Sequence, residues 1–284
     1  MRIGIVSPVV TRVPGAHSEW EVTAGIAELA RVAEHADALG FAHLTCSEHV
    51  AVPVDVAAQR GGTYWDPLAT FGYLAARTER IRFVTQVLVL GYHHPLEIAK
   101  RYGTLDAVTG GRLTLGVGVG SLEAEFDLLG AAFAGRGARA DDALRALRSA
   151  LSVPLPRYRG PHYSFGDVLV EPHALQATVP LWVGGRSMRS LRRAAALGDG
   201  WVPFGLPLAR VREMLEKVEA PEGFDVVLSA GVVDPIGDPA ISTERLDAAV
   251  SAGATTISVS IAAESVDHYC EQLSVLAKLA EVEE

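Results

Sequence analysis

The chain has 284 residues, of which 49% are hydrophobic and 21% are charged, and its formal net charge is −9. This composition is typical of a globular protein with a substantial core and excludes a disordered chain. The acidic balance, with no cluster of basic residues, argues against a nucleic-acid partner, because a duplex-binding surface needs clustered lysine and arginine.

The amino-terminal sequence MRIGIVSPVVTRV contains a short apolar run interrupted by serine, proline and threonine. It lacks the hydrophobic segment and cleavage pattern of a signal peptide. No apolar run in the chain approaches the roughly 18 residues needed to span a bilayer, and the two cysteines are too few for a disulfide framework. We therefore expect a soluble, cytoplasmic protein that acts on a small molecule and does not bind a membrane.

Short β-branched segments alternate with helical patterns along the chain. The helical pattern at 21–40 has its apolar residues on one face and ends at Gly40, and further helices are predicted at 67–78, 95–108, 139–150 and 264–282. The predicted strands are 2–6, 42–46, 81–90, 112–120, 180–185, 200–204, 224–231 and 255–261. Eight strand–helix units without a linker predict a single (β/α)8 TIM barrel over residues 1–284.

Residues 121–179 connect the fourth and fifth predicted strands and form the longest connection of the barrel. The second half of this connection is rich in proline and aromatic residues and has alternating strand character. Long connections in compact domains are usually functional or loosely ordered. We predict an inserted excursion, a hairpin beside the barrel mouth.

The second strand runs into Ser47, Glu48 and His49. In a TIM barrel the carboxyl ends of the strands and the loops after them form the active-site face. Glu48 and His49 are therefore a candidate titratable pair in the pocket. The alternative is that both are partly exposed loop residues, or that His49 caps local backbone.

The sequence GVGVGS (116–121) has the glycines of a dinucleotide-binding fingerprint. A Rossmann fold also needs a second strand bearing an acid about 20 residues further on, and none follows here. Two interpretations remain for Gly118 and Gly120. Either the strand is kept bare so that a flat ligand can lie close to its backbone, or the glycines serve packing alone.

The fifth strand ends in Gly184, Gly185, Arg186 and Ser187 and is followed by a helix. Backbone N–H groups at a helix start, with a serine and an arginine, can bind a phosphate. The alternative is a tight turn with Ser187 as the helix cap.

Two further features bear on the pocket. Tyr64 and Trp65 precede a helix on the same face and either wall a pocket or cover the rim. The adjacent His93 and His94 point apart, and no metal-ligand spacing occurs, so we expect no metal.

These features together resemble the bacterial luciferase-like superfamily, specifically its F420-dependent oxidoreductase branch. The resemblance covers roughly two thirds of the chain. It is carried by AELARVAEHADALGFAHLTCSEHV, by DPLATFGYLAARTERIRFVTQVLVLGYHHPLEIAKRYGTLDAVTGGRLTLGVGVGSLEAEFDLLG and by PLWVGGRSMRSLRRAAALGDGWVP.

The resemblance implies a TIM barrel that binds F420 or FMN at its C-terminal mouth, and a homodimer. It places Glu48 and His49 beside the flavin ring and a non-proline cis peptide at Gln86–Val87. The residues that it implies in cofactor binding are Ser7, Gln86, Val87, Gly118, Gly120, Ser121, Gly184, Gly185, Arg186 and Ser187. In sugar-phosphate-oxidising members an acid stands where this chain has Ser121, which leaves Glu123 or Glu125 as a general acid.

The leading hypothesis is therefore an F420-dependent oxidoreductase that transfers hydride to or from a small organic substrate. His49 would act as general acid or base, and Glu48 would orient His49 or bond the cofactor ring. The alternatives are an FMN-dependent monooxygenase of the same fold and a non-catalytic flavin-binding protein. An aldolase or isomerase is disfavoured, because no lysine occurs in the eight predicted strands.

Overall fold

The β-branched segments form a closed barrel of parallel strands in the computed structural model, which describes residues 1–282. In chain order the strands are β1 (Arg2–Ile5), β2 (Thr11–Arg12), β3 (His43–Cys46), β4 (Thr63–Tyr64), β5 (Arg82–Thr85), β6 (Leu88–Val89), β7 (Leu113–Gly118), β8 (Tyr158–Arg159), β9 (Ser164–Phe165), β10 (Leu181–Gly184), β11 (Gly200–Val202), β12 (Asp225–Val233) and β13 (Thr256–Ile261). The barrel order is β1, β3, β5, β7, β10, β11, β12 and β13, and β13 pairs with β1 to close it. The predicted TIM barrel and its eight strands are confirmed.

Helices surround the barrel. They are α1 (Ile26–Ala38), α2 (Val54–Arg60), α3 (Pro67–Ala75), α4 (Pro95–Thr109), α5 (Glu123–Leu128), α6 (Arg136–Arg148), α7 (Met188–Leu197), α8 (Leu208–Leu215), α9 (Pro239–Ser251) and α10 (Val266–Leu279), with short 3-10 helices at Glu19–Val22 and Leu90–Tyr92. Within residues 1–282, none of these helices is long and apolar enough to cross a membrane.

The first predicted helix is shorter than its pattern suggests. Residues 19–22 form a 3-10 turn, and α1 begins only after Gly25, whose backbone N–H donates to the Glu28 carboxylate over 2.7 Å. Gly40 follows the helix with a φ of +80°, which is the left-handed region that favours glycine. The sequence does not predict α2, because none of its residues is buried and it therefore lacks an apolar face.

The third barrel strand is interrupted between β5 and β6. Both halves pair with β7, with Val84 level with Thr114 and Leu88 level with Val117. The broken strand thus advances four residues while β7 advances three, and this extra residue makes a bulge. The peptide bond between Gln86 and Val87, which lies in this bulge, is cis, as the resemblance implies.

Two apolar layers hold the barrel together. The outer layer lies between strands and helices and includes Ile5, Leu44 and Phe83, all with 0 to 1% exposure. The inner layer fills the barrel with Val84, Trp182, Val202 and Val227, and Val87 packs on top of it. The barrel interior is therefore a packed core, and ligand-binding space is confined to its two ends.

The long connection folds as predicted into a hairpin, formed by β8 and β9. Asp142 of α6 is fully buried and fixes it by accepting hydrogen bonds from the backbone N–H groups of His162 and Tyr163, at 2.8 and 3.0 Å. The Tyr163 ring stands edge-on to His94 at 5.4 Å. Because His94 caps the start of α4, just after β6 ends, the hairpin lies on the mouth side of the barrel.

Candidate active site

His49 lies just beyond the end of β3, where its imidazole meets a carboxylate from α5. Nδ1 of His49 is 2.6 Å from Oε2 of Glu125. The Glu125 side chain is fully buried, and that of His49 is 18% exposed. An ionised carboxylate only accepts hydrogen bonds, so Nδ1 carries the proton. The other ring nitrogen, Nε2, is then left to act as an acceptor towards a ligand at the mouth.

The Glu125 carboxylate is held from several sides. Its Oε1 accepts from the backbone N–H groups of Val50 and Ala51, at 2.6 and 3.1 Å, and its Oε2 also accepts from the Tyr92 hydroxyl at 2.7 Å. Burial raises the pKa of Glu125, but the hydrogen bonds from Tyr92, His49 and Ala51 outweigh it, and the net pKa lies below its ordinary value. Glu125 is therefore ionised at neutral pH in spite of its burial.

Two tyrosines complete the surroundings of His49. Burial and the bond to the Glu125 carboxylate raise the pKa of Tyr92 far above its usual range, so this phenol remains a hydrogen-bond donor. The Tyr64 ring stands edge-on to the imidazole at 4.5 Å, and its hydroxyl donates to the carbonyl of Arg60 over 2.6 Å. His49 is thus fixed between an aromatic ring and a buried carboxylate.

Glu48 faces away from His49 and belongs to a second acid–imidazole pair. Its Oε2 accepts from the Val89 backbone N–H, and its Oε1 lies 2.7 Å from Nε2 of His93. Burial lowers the pKa of His93, but the hydrogen bond to the Glu48 carboxylate and the negative charge of Glu48 together outweigh it, and the net pKa is above its ordinary value. In this structure Glu125, and not Glu48, contacts the His49 imidazole. The other expected role of Glu48, a hydrogen bond to the cofactor ring, stays a prediction.

Val87 forms the floor between the strand ends at the mouth. A Cβ added to Gly118 would lie 2.7 Å from Cγ2 of Val87, and one added to Gly184 would lie 2.9 Å from its Cγ1. Packing against Val87 is thus sufficient to explain both glycines. Val87 is itself only partly buried, so the strand ends carry an apolar surface at the mouth.

Gly120 and Ser121 connect β7 to the loops around it. Gly120 has a φ of +79°, and a Cβ there would lie 2.7 Å from an atom of the Phe126 ring. The Ser121 hydroxyl accepts a hydrogen bond from Arg60 at 3.2 Å, which ties it to α2. Both residues therefore lie at the mouth, with Ser121 exposed.

The segment Gly184–Ser187 forms the turn into α7. Ser187 is the N-cap, and its hydroxyl accepts from the Ser190 backbone N–H at 3.2 Å. Gly185 has a φ of +135°, a backbone conformation that favours glycine. Arg186 is exposed, with its guanidinium 5.9 Å from the centre of the Phe204 ring. Ser187 thus caps α7, and the Arg186 guanidinium lies beside the helix start. Phosphate binding by this segment stays a prediction.

Three other predicted residues have partners other than His49. Ser7 is buried, and its hydroxyl accepts from the Thr45 backbone N–H at 3.1 Å, which extends the contact between β1 and β3. The carbonyl of Gln86 accepts from the Ser47 hydroxyl at 2.8 Å. Trp65 lines a groove outside the barrel, beside Tyr73, so Tyr64 alone of the two predicted pocket aromatics touches His49.

Sequence reasoning missed Tyr92 and His93 as site residues and did not choose between Glu123 and Glu125. Helical spacing could have distinguished Glu123 from Glu125, because residues two positions apart lie on different faces of a helix and only one face of α5 is turned towards the barrel. Glu123 is exposed, whereas Glu125 is buried beside Phe126. A buried acid on a short helix needs a partner, and His49 is that partner.

A family model described as luciferase-like monooxygenase matches residues 1–233 of this chain. The uncharacterized protein Rv0940c of Mycobacterium tuberculosis is 28% identical over 214 residues, which cover 69% of this chain and 74% of that protein. The 4-hydroxyprotoasukamycin monooxygenase of Streptomyces nodosus subsp. asukaensis is 32% identical over 179 residues, which cover 62% of this chain and 46% of that protein.

Among solved structures, an F420-dependent secondary alcohol dehydrogenase in complex with an F420–acetone adduct superposes with a TM-score of 0.77. The match covers 100% of this chain and 99% of that one, at 13% sequence identity. At this identity the likeness concerns the fold alone.

Proposed function

Since the chain belongs to the luciferase-like monooxygenase family, we propose that it is an oxidoreductase that uses the deazaflavin F420 to transfer hydride to or from a small organic substrate. The observation that carries this proposal is the buried Glu125 carboxylate held against His49 at the barrel mouth. A charged group that is buried at a strand end and bonded to an imidazole is an arrangement typical of acid–base catalysis.

The residues at the mouth fit such a cofactor. The exposed face of Val87 supports a flat ring, and the start of α7 with Arg186 supplies N–H groups and a cation for an anionic tail. Gly118, Gly120 and Ser121 lie along the same face. When bound, F420 supplies the hydride at C5 of its ring.

His49 would move the proton that accompanies the hydride. Converting a carbonyl to an alcohol adds one hydride to carbon and one proton to oxygen, and the reverse reaction removes both. With Nδ1 bonded to Glu125, Nε2 of His49 is the atom that takes the proton from an alcohol or returns it to a carbonyl oxygen. The buried carboxylate stabilises the imidazolium that forms in between.

The second candidate function is an FMN-dependent monooxygenase. It is favoured by the 32% identity to 4-hydroxyprotoasukamycin monooxygenase. In that case Val87 and His49 would lie beside a flavin that reacts with oxygen.

Binding of F420 and of FMN to the cofactor-free protein, followed by the quenching of each cofactor's fluorescence, tests these functions. Tight F420 binding with weak FMN binding is the expected result. Tight FMN binding with weak F420 binding would favour the monooxygenase instead. A His49→Gln variant should retain F420 binding within a few-fold and lose turnover of alcohol or ketone substrates. If neither cofactor binds, the assignment of the mouth as a flavin site fails.

We also propose that the protein is a homodimer that associates through the groove beside Trp65. This groove is lined by the apolar side chains of Ile26, Trp65, Ala69 and Tyr73 together with Asp66 and Thr70, and Tyr73 is 44% exposed. A second copy of the chain that covered this groove would bury the exposed Tyr73 ring. Sedimentation of the wild type and of a Tyr73→Glu variant checks it, and a monomeric wild type at micromolar concentration would contradict it.

A further inference from the structure

A second concave site lies at the end of the barrel opposite the mouth. It is a cavity of about 260 Å³, here called the N-terminal cavity, and it is lined at the starts of the strands. Arg2 begins β1, Arg82 begins β5, Asp225 begins β12 and Thr256 begins β13. Its volume is several times the roughly 30 Å³ that one water occupies in the liquid, so it has room for a small molecule.

The charged groups of this cavity leave unused cationic donors. The Asp225 carboxylate pairs with Arg2 and also accepts from Trp182 Nε1 at 3.2 Å and from the Thr255 hydroxyl at 3.1 Å. The Asp225 carboxylate therefore already has a cationic partner and two further hydrogen-bond donors. The two arginines have more donors than partners, because a guanidinium has five N–H groups.

Arg82 uses four of its N–H groups. It donates to the Thr114 hydroxyl, to the carbonyls of Gly111 and Leu113, and to the Gln176 side chain. Arg2, with a half-exposed side chain, makes its one side-chain hydrogen bond within residues 1–282 to Asp225. Arg2 and Arg82 both line the cavity, and each retains at least one guanidinium N–H without a partner in residues 1–282.

Two neutral residues of the cavity, Thr256 and His43, also bear on what it could bind. Thr256 is level with Arg2 in the sheet and 1% exposed, and its hydroxyl has no hydrogen-bond partner in the described part of the chain. His43 is buried, and burial, together with the charges of Arg2 and Arg82, lowers its pKa to about 3. It is therefore neutral, and its Nε2 is 3.1 Å from the Ser258 hydroxyl. The positive charge available to a ligand in the cavity is therefore that of Arg2 and Arg82.

We propose that the N-terminal cavity binds a small oxyanion, a phosphate or a carboxylate, between Arg2 and Arg82. Two cations and one anion line the cavity, so a monoanion would balance them. Arginine N–H groups match the oxygens of both ligand types. This site is separate from the mouth, and its existence does not depend on which cofactor the mouth binds.

Thermal unfolding of the cofactor-free protein in increasing inorganic phosphate, at constant ionic strength set with chloride, tests the proposal. A parallel series uses acetate and distinguishes the carboxylate from the phosphate source. A ligand that binds the folded state raises Tm in a saturable manner. We expect one of the two series to do so. We also expect Arg2→Gln to raise the apparent Kd of that ion at least tenfold.

Arg31→Gln is the matched control, because Arg31 is a half-exposed arginine paired with an aspartate, Asp267, elsewhere on the surface. It should leave the apparent Kd unchanged. Thr256→Val replaces the hydroxyl that has no partner by a methyl group of similar size, so it should fold normally and weaken binding about threefold. This variant keeps the test decisive if Arg2→Gln does not fold.

Crystals soaked in selenate give the position of the ion directly through its anomalous signal. A peak between Arg2 and Arg82 is the expected result. The proposal is overturned if neither ion stabilises the wild type beyond chloride, or if Arg2→Gln and Thr256→Val respond like the wild type. The last outcome would place the anion elsewhere, for example at the start of α7.

Discussion

The carboxylate of Glu48 lies 2.7 Å from Nε2 of His93 and does not contact the adjacent His49. The site therefore contains two acid–imidazole pairs, Glu48 with His93 and Glu125 with His49. The first pair lies where the bulged third strand resumes, because Glu48 also accepts from the Val89 backbone N–H. We infer that Glu48 and His93 hold the bulge in place, while Glu125 and His49 form the reactive pair.

A structural role of His93 predicts a particular dependence of stability on pH. Burial lowers the pKa of His93, but the hydrogen bond to Glu48 and the negative charge of Glu48 together raise it above its ordinary 6.5. Its contribution to stability is therefore fully present below about pH 6.5 and is lost as the pH rises through the raised pKa. The wild type should lose stability between pH 6 and pH 8, and His93→Gln should lose less over the same interval. Urea unfolding at both pH values measures this difference, and equal slopes would contradict the charged pair.

Glu125→Gln should remove the orientation of His49. The amide cannot accept as strongly from the imidazole, and it presents a donor to the N–H groups of Val50 or Ala51. We expect kcat to fall by about 10²-fold or more, with an unfolding free energy lower by about 1–3 kcal/mol. Steady-state kinetics and urea unfolding report both quantities.

The control for this substitution is Glu123→Gln, on the exposed face of the same helix. It should change neither kcat nor stability by a measurable factor. If Glu123→Gln impaired turnover as much as Glu125→Gln, the choice of Glu125 as the partner of His49 would have to be withdrawn.

Tyr92→Phe removes one of the hydrogen bonds that keep the Glu125 carboxylate ionised. The Tyr92 hydroxyl donates to Oε2 of Glu125, and its loss should raise the pKa of this carboxyl from its depressed value. A depressed carboxyl pKa contributes stability above the ordinary value of 4.5, and this stability is lost as the pH falls through the folded-state pKa. The acid unfolding midpoint of Tyr92→Phe should therefore lie at a higher pH than that of the wild type. Circular dichroism during acid titration measures it, and an unchanged midpoint would mean that Tyr92 does not hold the charge.

The barrel could be predicted from the sequence because its strands are short β-branched runs at regular intervals. Such a pattern depends only on residues that are close together in the sequence. The element α2 could not be predicted, because it buries nothing and leaves no apolar pattern. The partner of His49 could not be predicted either. Glu125 is 76 residues away in the sequence, and only the closure of β3, β5 and β7 side by side brings it near.

In two places, residues that are adjacent in the sequence were expected to act together but have separate partners in the structure. Glu48 and His49 follow each other just beyond β3, and their side chains point to different partners, His93 and Glu125. Tyr64 and Trp65 also separate, one to His49 and the other to the outer groove. For Gly118 and Gly120 the sequence left packing and ligand approach open. The contact with Val87 shows that packing requires a glycine at position 118, and ligand approach stays a prediction.

Gly118→Ala tests this packing. The new methyl group would lie 2.7 Å from Cγ2 of Val87, closer than real side chains pack, so Val87 or β7 must shift. Overpacking of this kind lowers the free energy of unfolding by about 1–3 kcal/mol. Because Val87 is the floor of the proposed cofactor site, the variant should also weaken cofactor binding. Urea unfolding and fluorescence quenching measure the two effects.

Val87→Ala in the same chain should restore most of the stability lost in Gly118→Ala, because it removes the methyl groups that the new Cβ meets. The coupling between the two substitutions is then favourable, as expected for residues in direct contact. Gly72→Ala in α3 is the matched control, since a Cβ there meets nothing within 4 Å. In a helix this change should stabilise the protein by about 0.5–1 kcal/mol. Additive free energies for Gly118→Ala and Val87→Ala would show that β7 relaxes without contacting Val87, and the floor assigned to Val87 would then lose its support.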